Sequence, residues 1–244
     1  MNEAEVYLKK LNYLESRIAF LERLERGFVE ERGWIPIFQT AVYASPTSVT
    51  FANIDLTAYL KIGVKCSWYQ SSGWRYGYVL SSSYGSGNTT LNFVANTSFN
   101  VANTAISTFK ISYGNPPDFP AYLTYAAIVS GATGSAGTYA EDNSVAKFLL
   151  NGSSATVIIT KRITNLGSWT GNLQVAMPIV PTKESLGSSF GFVIATSALA
   201  QKGYAILQSS IINVRFMNNW NTVFLTFADL AVNDFIQVRV TYEV

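Results

Sequence analysis

The charged residues of this sequence are concentrated at its N-terminus. Residues 1–33 contain 6 Lys or Arg and 7 Asp or Glu, out of 17 and 15 in the whole chain. Residues 34–244 are instead rich in Ser, Thr, Asn, Gly, β-branched and aromatic residues, which is the composition of short strands joined by polar turns. The composition therefore favours a charged N-terminal helix followed by a body that is mainly β.

Apolar residues in the N-terminal segment recur at alternating spacings of three and four. With Leu11 and Ile18 at a positions and Leu14 and Leu21 at d positions, the segment has the heptad seam of a coiled coil. The seam extends to Phe28, with one polar interruption at position 25. A helix that ends at Gly27 or Gly33 is expected, since Pro36 bars the residues before it from a helix.

The positions that flank this seam carry opposite charges, Lys10 with Glu15 and Arg17 with Glu22. Such pairs link neighbouring chains of a parallel coiled coil. The run from Arg17 to Glu22 also resembles a short trimerisation signature of parallel coils, in which the Arg stem covers the apolar layer and its guanidinium reaches a carboxylate on the next helix. We expect a homotrimer. The alternative is an amphipathic helix that packs on its own β domain.

Runs of β-branched and aromatic residues bounded by turn residues predict the strands of the body. The first group covers 49–51, 61–69, 75–81, 89–94 and 106–111, with hairpin turns at 71–73 and 85–88. The second covers 147–150, 155–163, 171–177, 190–196, 205–209, 211–216, 222–227 and 235–242. The strand spacing predicts two small antiparallel β domains, 34–113 and 121–244, the second a β-sandwich or jelly roll. Three prolines within 114–120 predict a linker between them.

Several classes of chemistry are excluded or unsupported by the residue inventory. The chain has no histidine and one cysteine, Cys66, so His-based catalytic sites and thiolate zinc clusters cannot form. Asp55 fits an Asx turn, residues 141–143 fit a solvated loop, and no carboxylate pair stands out as catalytic. We expect no enzyme activity, no metal and no cofactor, although a glycan-active enzyme using two carboxylates is a third, less favoured reading.

Charge and hydropathy also limit the partners. A net charge of +2 without a basic cluster offers no nucleic-acid footprint. An acidic start and the lack of a long apolar run predict neither a signal peptide nor membrane insertion, so synthesis in a cytoplasm is expected.

Aromatic residues suggest one candidate binding surface. The flat rings of Trp68, Tyr69 and Trp74 could stack on sugar rings and form a glycan contact. The alternative is that the same rings pack in the core or across strands. The turn-like segments 131–137 and 185–189 are further candidates for contact loops, because binding residues commonly lie on tips held by a rigid scaffold.

The order of short motifs resembles the β modules of tailed-phage tail fibres and prophage minor structural proteins. In the first module the resemblance rests on Asn53-Ile54-Asp55-Leu56-Thr57, Leu60, Gly63, Lys65, Arg75-Tyr76-Gly77-Tyr78-Val79, Ser81-Ser82-Ser83-Tyr84 and Asn88-Thr89-Thr90-Leu91. In the second it rests on Phe119-Pro120-Ala121-Tyr122, Ala146-Lys147-Phe148, Asn151-Gly152, Val175-Ala176-Met177-Pro178 and Tyr242-Glu243.

This resemblance implies a structural protein of a bacteriophage virion. The expected role is a trimeric tail fibre or tail-tip subunit that contacts other tail or baseplate proteins and a host-surface polysaccharide or protein during attachment. A baseplate, neck or capsid-decoration subunit without receptor contact is the alternative. The long β-helix of tail-spike depolymerases is lacking, so the resemblance does not imply their glycan-cleaving activity.

Overall fold

The chain is mainly β, and its strands pair antiparallel throughout the part that the structure describes. The structure is a computed structural model, and it describes 33–96, 100–133, 141–164, 168, 170–182, 185–186, 191–195, 200–208, 211–218, 221–224 and 235–244, with ten residues between 7 and 22. Two compact units are present, one of Met1–Phe93 and Phe99–Pro120 and one of Val94–Ser98 and Ala121–Val244. The predicted β class is confirmed.

The first unit contains a 7-stranded sheet. Its strands are β1 Ile35–Ile37, β2 Ala41–Ser45, β3 Ser48–Ala52, β4 Lys65–Gln70, β5 Gly73–Gly85, β6 Asn88–Ala95 and β7 Thr108–Ser112. The strand order is β1-β7-β4-β5-β6-β3-β2. Strands β4, β5 and β6 follow one another, and β7 returns to lie beside β4, which is the arrangement of a Greek key.

This sheet curls until distant strands meet inside it. Phe51 of β3 and Phe109 of β7 are four places apart in the sheet, about 19 Å if it were flat, yet their ring centroids are 5.3 Å apart. Trp68 of β4 and Phe93 of β6 are 4.9 Å apart across β5. All four side chains are almost fully buried. The concave face is therefore the core, and burial of each large side chain contributes about 1.5–3 kcal/mol.

A short connection forces the two edges of the sheet together. Edge strands β1 and β2 are joined by three residues, Phe38 to Thr40, so Ile37 and Ala41 lie at most about 14 Å apart. Seven strands in a flat sheet would separate the same edges by about 29 Å. The first sheet must therefore close on itself.

The second unit contains an 11-stranded sheet within the described residues. Its strands are β8 Leu123–Thr124, β9 Val129–Thr133, β10 Glu141–Asn151, β11 Ser154–Ile163, β12 Thr170–Ala176, β13 Ser185–Leu186, β14 Gly191–Ala195, β15 Ala200–Gln208, β16 Ile211–Asn218, β17 Asn221–Phe224 and β18 Phe235–Glu243. The order is β8-β10-β11-β18-β14-β15-β16-β12-β9, with β13 beside β15 and β17 beside β16.

The edges of this sheet are also joined by one short segment. Strands β8 and β9 lie at opposite ends of the order, yet only 125–128 separate them. The backbone N–H of Tyr125 donates to the carbonyl of Ala146 on β10, next to edge strand β8 (3.0 Å), and the N–H of Ala176 on β12, next to edge strand β9, donates to the carbonyl of Ile128 (2.8 Å). The ammonium of Lys161, almost fully buried, donates to the carbonyl of Ala127. The connecting segment is thus fixed from both edges and from within.

Some predicted boundaries are wrong for local reasons. The strand predicted at 61–69 begins only at Lys65, because 61–64 form a turn in which Gly63 has a φ of +82°. Residues 141–143, predicted as a solvated loop, belong to β10, where Asp142 pairs with Arg162 before a register shift. Parts of both predicted contact loops are strands as well: 131–133 belong to β9, and 185–186 form β13.

Helical backbone is confined, among the described residues, to ten positions between Tyr7 and Glu22. Gly33 lies in a turn and has a φ of +92°. The predicted end at Gly27 lies outside the described residues. Association of the helix with other copies is not tested by one chain, so the coiled coil stays a prediction.

The two predicted hairpin turns are present, and one of them is strained. Gln70 pairs with Gly73, which leaves Ser71 and Ser72 as a two-residue loop with φ values of 51° and 66°. Two consecutive left-handed residues define a type I′ turn, which prefers Asn-Gly because side chains disfavour that region. The loop between β5 and β6 uses Ser86 and Gly87, so only its first position has a side chain.

Replacing Ser72 with Gly should stabilise the protein by about 1 kcal/mol, because the left-handed conformation then carries no Cβ penalty. The matched control is Ser83→Gly, within β5 near its C-terminal end, which should destabilise by about 0.5–1 kcal/mol. Urea unfolding of both variants measures the difference. A loss of stability in Ser72→Gly would contradict the turn assignment.

Candidate functional site

The outer face of the first sheet carries a row of aromatic side chains. Successive side chains of a strand point to opposite faces, so Tyr69 lies on the face opposite Trp68. On β5 the residues Trp74, Tyr76 and Tyr78 occupy alternate positions, and Trp74 is the direct register partner of Tyr69. The curled sheet thus has aromatic side chains both in its core and along its convex face.

Residues 114–120, here called the strap, cover one half of this row. The ring of Phe119 lies 5.8 Å from Tyr76 and 5.0 Å from Tyr78, centroid to centroid. The indole Nε1 of the buried Trp34 donates to Asp118 Oδ1 at 2.7 Å. The segment predicted as a linker is therefore packed against the first unit, because its aromatic and carboxylate side chains find partners on the convex face.

Two charged side chains, those of Lys65 and Asp118, lie beside the covered half of the row. Lys65 Nζ donates to the carbonyl of Gly114 at 2.8 Å and lies 5.6 Å from the ring centroid of Phe119. Burial lowers the pKa of Lys65. Burial raises the pKa of Tyr76, and the negative charge of Asp118 adds to this effect. The strap is thus held by a cation, a carboxylate and edge-to-face ring contacts together.

The other half of the row is open to solvent, and we call Tyr69, Trp74 and Lys110 the exposed patch. Tyr69 is 37% exposed and Trp74 is 41% exposed, and their rings meet edge to face at 5.5 Å. Lys110 Nζ lies 4.9 Å from the ring centroid of Trp74. Lys110 has no sequence signal of its own. It lies on β7, and only the strand register brings it to this face.

A buried amide fixes the loop beside the exposed patch. Gln70 is 1% exposed. Its Nε2 donates to the carbonyls of Ala102 and Thr104, and its Oε1 accepts from the N–H of Ala102, each at 2.9 Å. The N–H of Ser107 donates to the carbonyl of Tyr69 at 3.2 Å. Residues 100–107 are therefore held against the end of β4, and the patch has a well-connected rim.

Trp68 does not belong to this surface. Its side chain is fully buried, stacked 6.3 Å from Phe109 and close to Phe93 in the core. The predicted glycan contact at Trp68 is therefore wrong, because β4 directs this residue to the concave face. Of the three predicted contacts, Tyr69 and Trp74 remain, and Lys110 joins them.

The predicted oligomerisation residues lie on an exposed helical face. Leu11, Leu14, Ile18 and Leu21 are each 55–56% exposed, and Arg17 and Glu22 are exposed beside them. Phe28, the last predicted member, lies outside the described residues.

A cavity of about 470 Å³ lies within the first unit, where the helix faces the sheet. Helix residues Glu15 and Ala19 line it, together with apolar side chains that include Ile35, Leu56 and Leu60. None of the four seam residues lines this cavity. The helix thus presents one face to the sheet and its heptad seam to solvent.

Cys66 and Asp55, which the sequence analysis also considered, both have structural roles. Cys66 is fully buried on β4, and burial raises the pKa of its thiol, as expected for a core cysteine. Asp55 Oδ1 accepts from Thr57 Oγ1 at 2.6 Å and from Thr57 N at 2.9 Å, which lowers the pKa of the carboxyl and forms the predicted Asx turn. Within the described residues, no three His, Cys, Asp or Glu side chains form a group that could hold a metal.

Alkaline pH should destabilise the first unit through Tyr113, whose hydroxyl donates to the carbonyl of Tyr59 at 3.0 Å. Burial, and then repulsion from Tyr59, raises its pKa to about 12, whereas an unfolded tyrosine titrates near about 10. The unfolded chain therefore loses its proton first, and the stability present below pH 10 is lost as the pH rises towards 12.

The variant Tyr113→Phe should show a shallower fall in melting temperature between pH 9 and pH 11 than the parent chain. Burial also raises the pKa of Tyr125 and Tyr242, so part of the slope should persist. The exposed Tyr84 on β5 offers the control Tyr84→Phe, which should retain the parental slope. Identical slopes in all three proteins would contradict the role of Tyr113.

Comparisons with known proteins identified no relative of this chain. No family model, curated protein or solved structure matches it. No described helix is long and apolar enough to cross a membrane. The chemistry available to the exposed patch is that of its own side chains: two aromatic rings and an ammonium group on a fixed β surface.

Proposed function

We propose that this chain is a structural subunit of a tailed-bacteriophage virion, a trimeric tail fibre or tail-tip protein that takes part in attachment to the host surface. The proposal includes an N-terminal coiled coil and a second domain of β-sandwich or jelly-roll type. Catalysis and cofactors are not part of it. The motif order described above and the exposed heptad seam support the proposal.

The exposed seam is the observation that carries the proposal. A helix that served only to cap its own sheet would bury its apolar seam there. Here Glu15 and Ala19 face the sheet, whereas Leu11, Leu14, Ile18 and Leu21 face solvent. Contiguous exposed apolar side chains mark interaction surfaces. Their heptad spacing fits other helices of the same kind, and the Arg17 to Glu22 run favours three.

Comparing the burial energy of the seam with the cost of association indicates how much of the trimer's stability the coil can supply. Full burial of an exposed Leu or Ile side chain contributes about 1.5–3 kcal/mol. The four seam residues are each 55–56% exposed, so their burial in a coil contributes on the order of 3–7 kcal/mol per chain. Association costs about 4–15 kcal/mol in lost translational and rotational freedom. The two ranges overlap, so the coil can set register and chain number while contacts between β domains supply the remaining stability.

A particle protein of this kind would gain from multivalency. Three copies held by one coil present three identical outer faces, and linked weak sites bind far more tightly than one. The exposed patch is a candidate contact, since Tyr69 and Trp74 form an open aromatic surface on a rigid sheet.

The full-length chain should have three times the mass of one 26.7 kDa chain by light scattering or sedimentation. Ile18→Asp together with Leu21→Asp should yield a single-chain mass, because charges buried in the a/d layer cannot be solvated. The matched control is Val180→Asp, which introduces the same charge at an exposed apolar position outside the helix and should leave the trimer intact. A single-chain mass for the parent protein would contradict the proposal.

Binding partners separate the attachment role from its alternative. Saturable binding of the purified protein to host cells supports attachment. Binding only to other virion proteins supports a baseplate, neck or capsid-decoration subunit.

A further inference from the structure

The cavity between the N-terminal helix and the first sheet combines buried apolar walls with exposed acidic side chains. Its volume of about 470 Å³ is in the range of small-ligand sites. Ile35 of β1, Ile111 of β7 and Leu60 line it, and each is at most 4% exposed. Glu15 of the helix and Asp55 also line it, and both are exposed. A molecule that filled this cavity would meet hydrocarbon inside and carboxylates at the opening.

Hydrogen bonds fix the loop that forms one wall of the cavity. Thr89 of β6 is fully buried. Its Oγ1 accepts from the N–H of Leu56 at 2.9 Å and donates to the carbonyl of Ile54 at 2.6 Å. The N–H of Leu60 donates to the carbonyl of Leu56 at 3.0 Å. Residues 54–60 are therefore tied to the sheet, and this wall is already formed before any ligand enters.

The charged side chains that line the cavity, among the described residues, are both acidic. Two hydrogen bonds from Thr57 lower the pKa of the Asp55 carboxyl, and the charge of Lys61 lowers it further. Asp55 is therefore ionised at neutral pH. Lys61 and Arg17 are the cations nearest to the two carboxylates along the chain, and neither lines the cavity. The opening thus favours a ligand with positive charge.

A third acceptor on the cavity wall lacks a partner. The side-chain oxygen Oε1 of Gln39 is buried without a hydrogen bond, and Gln39 lines the cavity. A buried acceptor without a partner costs free energy, which a donor brought by a ligand would recover. The cavity therefore offers two carboxylates and one amide oxygen to a ligand that carries N–H groups.

We propose that this cavity binds an aliphatic ammonium compound. The hydrocarbon chain lies against the apolar walls, and the ammonium group lies at the opening between the carboxylates of Glu15 and Asp55. An ammonium has three N–H donors, and Gln39 turns its amide oxygen to accept from the third. All of these residues belong to the first unit, so the inference goes beyond the proposed virion role and does not require the trimer.

Calorimetric titration of the full chain with four probes tests the site. The probes are octylammonium, octanol, octanoate and ethylammonium, each below the concentration at which it forms micelles. Octylammonium should bind saturably and about tenfold more tightly than octanol, because its charge pairs with two exposed carboxylates. Ethylammonium should bind at least about a hundredfold more weakly than octylammonium, because its short chain leaves most of the apolar wall uncovered. Octanoate, whose charge is repelled by the carboxylates, should not bind measurably.

Variants assign the binding to the named side chains. Glu15→Gln should reduce octylammonium affinity about threefold and leave octanol affinity unchanged. The matched control is Glu22→Gln, which changes another exposed carboxylate of the helix that does not line the cavity and should bind as the parent does. Ala19→Leu preserves helix propensity and fills part of the cavity, so affinity for both octylammonium and octanol should fall at least about tenfold.

Gln39→Met provides a second readout, because it removes the unpartnered acceptor and keeps the length of the side chain. The melting temperature should rise or stay the same, since no buried oxygen is then left without a partner. Octylammonium affinity should fall about threefold. A lower melting temperature would mean that the oxygen already has a partner, and would count against the site.

Three results would overturn the proposal. These are no saturable binding of octylammonium at millimolar concentration, equal affinity for octylammonium and octanol, or parental affinity in both Glu15→Gln and Ala19→Leu. The Ile18→Asp, Leu21→Asp protein should bind octylammonium as the parent does, because the seam does not line the cavity. Failure of the trimer and failure of the site therefore give different results.

Discussion

Short connections between edge strands are the constraint on which both β units depend. In the first unit three residues join β1 to β2, and in the second unit 125–128 join β8 to β9. Neither connection could span a flat sheet of that width, so each sheet must curl until its edges meet. The buried Lys161, bound to the Ala127 carbonyl, holds the second connection in place.

Closure divides each strand between two roles. Residues that point inward, such as Trp68 and Phe109, form the core and cannot contact a ligand. Residues that point outward must be covered by another segment or remain available. The strap covers Tyr76 and Tyr78, and the part of the face that holds Tyr69 and Trp74 stays open. The candidate site therefore follows from strand parity, with one half of an aromatic row covered and one half exposed.

The sequence pattern predicts strands well where turn residues bound them, as at β5, β6 and β18. The pattern fails where tertiary contacts determine how a segment packs. The prolines at 116, 117 and 120 suggest a free linker, and only the partners of Asp118 and Phe119 on the convex face explain why the segment is packed. Strand parity is a local property, but which face becomes the core is not. Trp68 and Tyr69 are adjacent aromatic residues that the sequence does not distinguish, yet Trp68 is buried and Tyr69 is partly exposed. Lys110 reaches the patch through long-range register, which no local motif encodes.

The most direct test of this account is a double-mutant cycle between Phe51 and Phe109, measured by urea unfolding followed through tryptophan fluorescence. The rings lie 5.3 Å apart only because the sheet is closed. With Phe51→Leu and Phe109→Leu made singly and together, closure predicts a coupling energy of about 1 kcal/mol, typical of an edge-to-face aromatic pair. Additive effects, within about 0.3 kcal/mol, would mean that strands β3 and β7 do not meet, and would contradict the closed sheet on which the division into core and binding face rests.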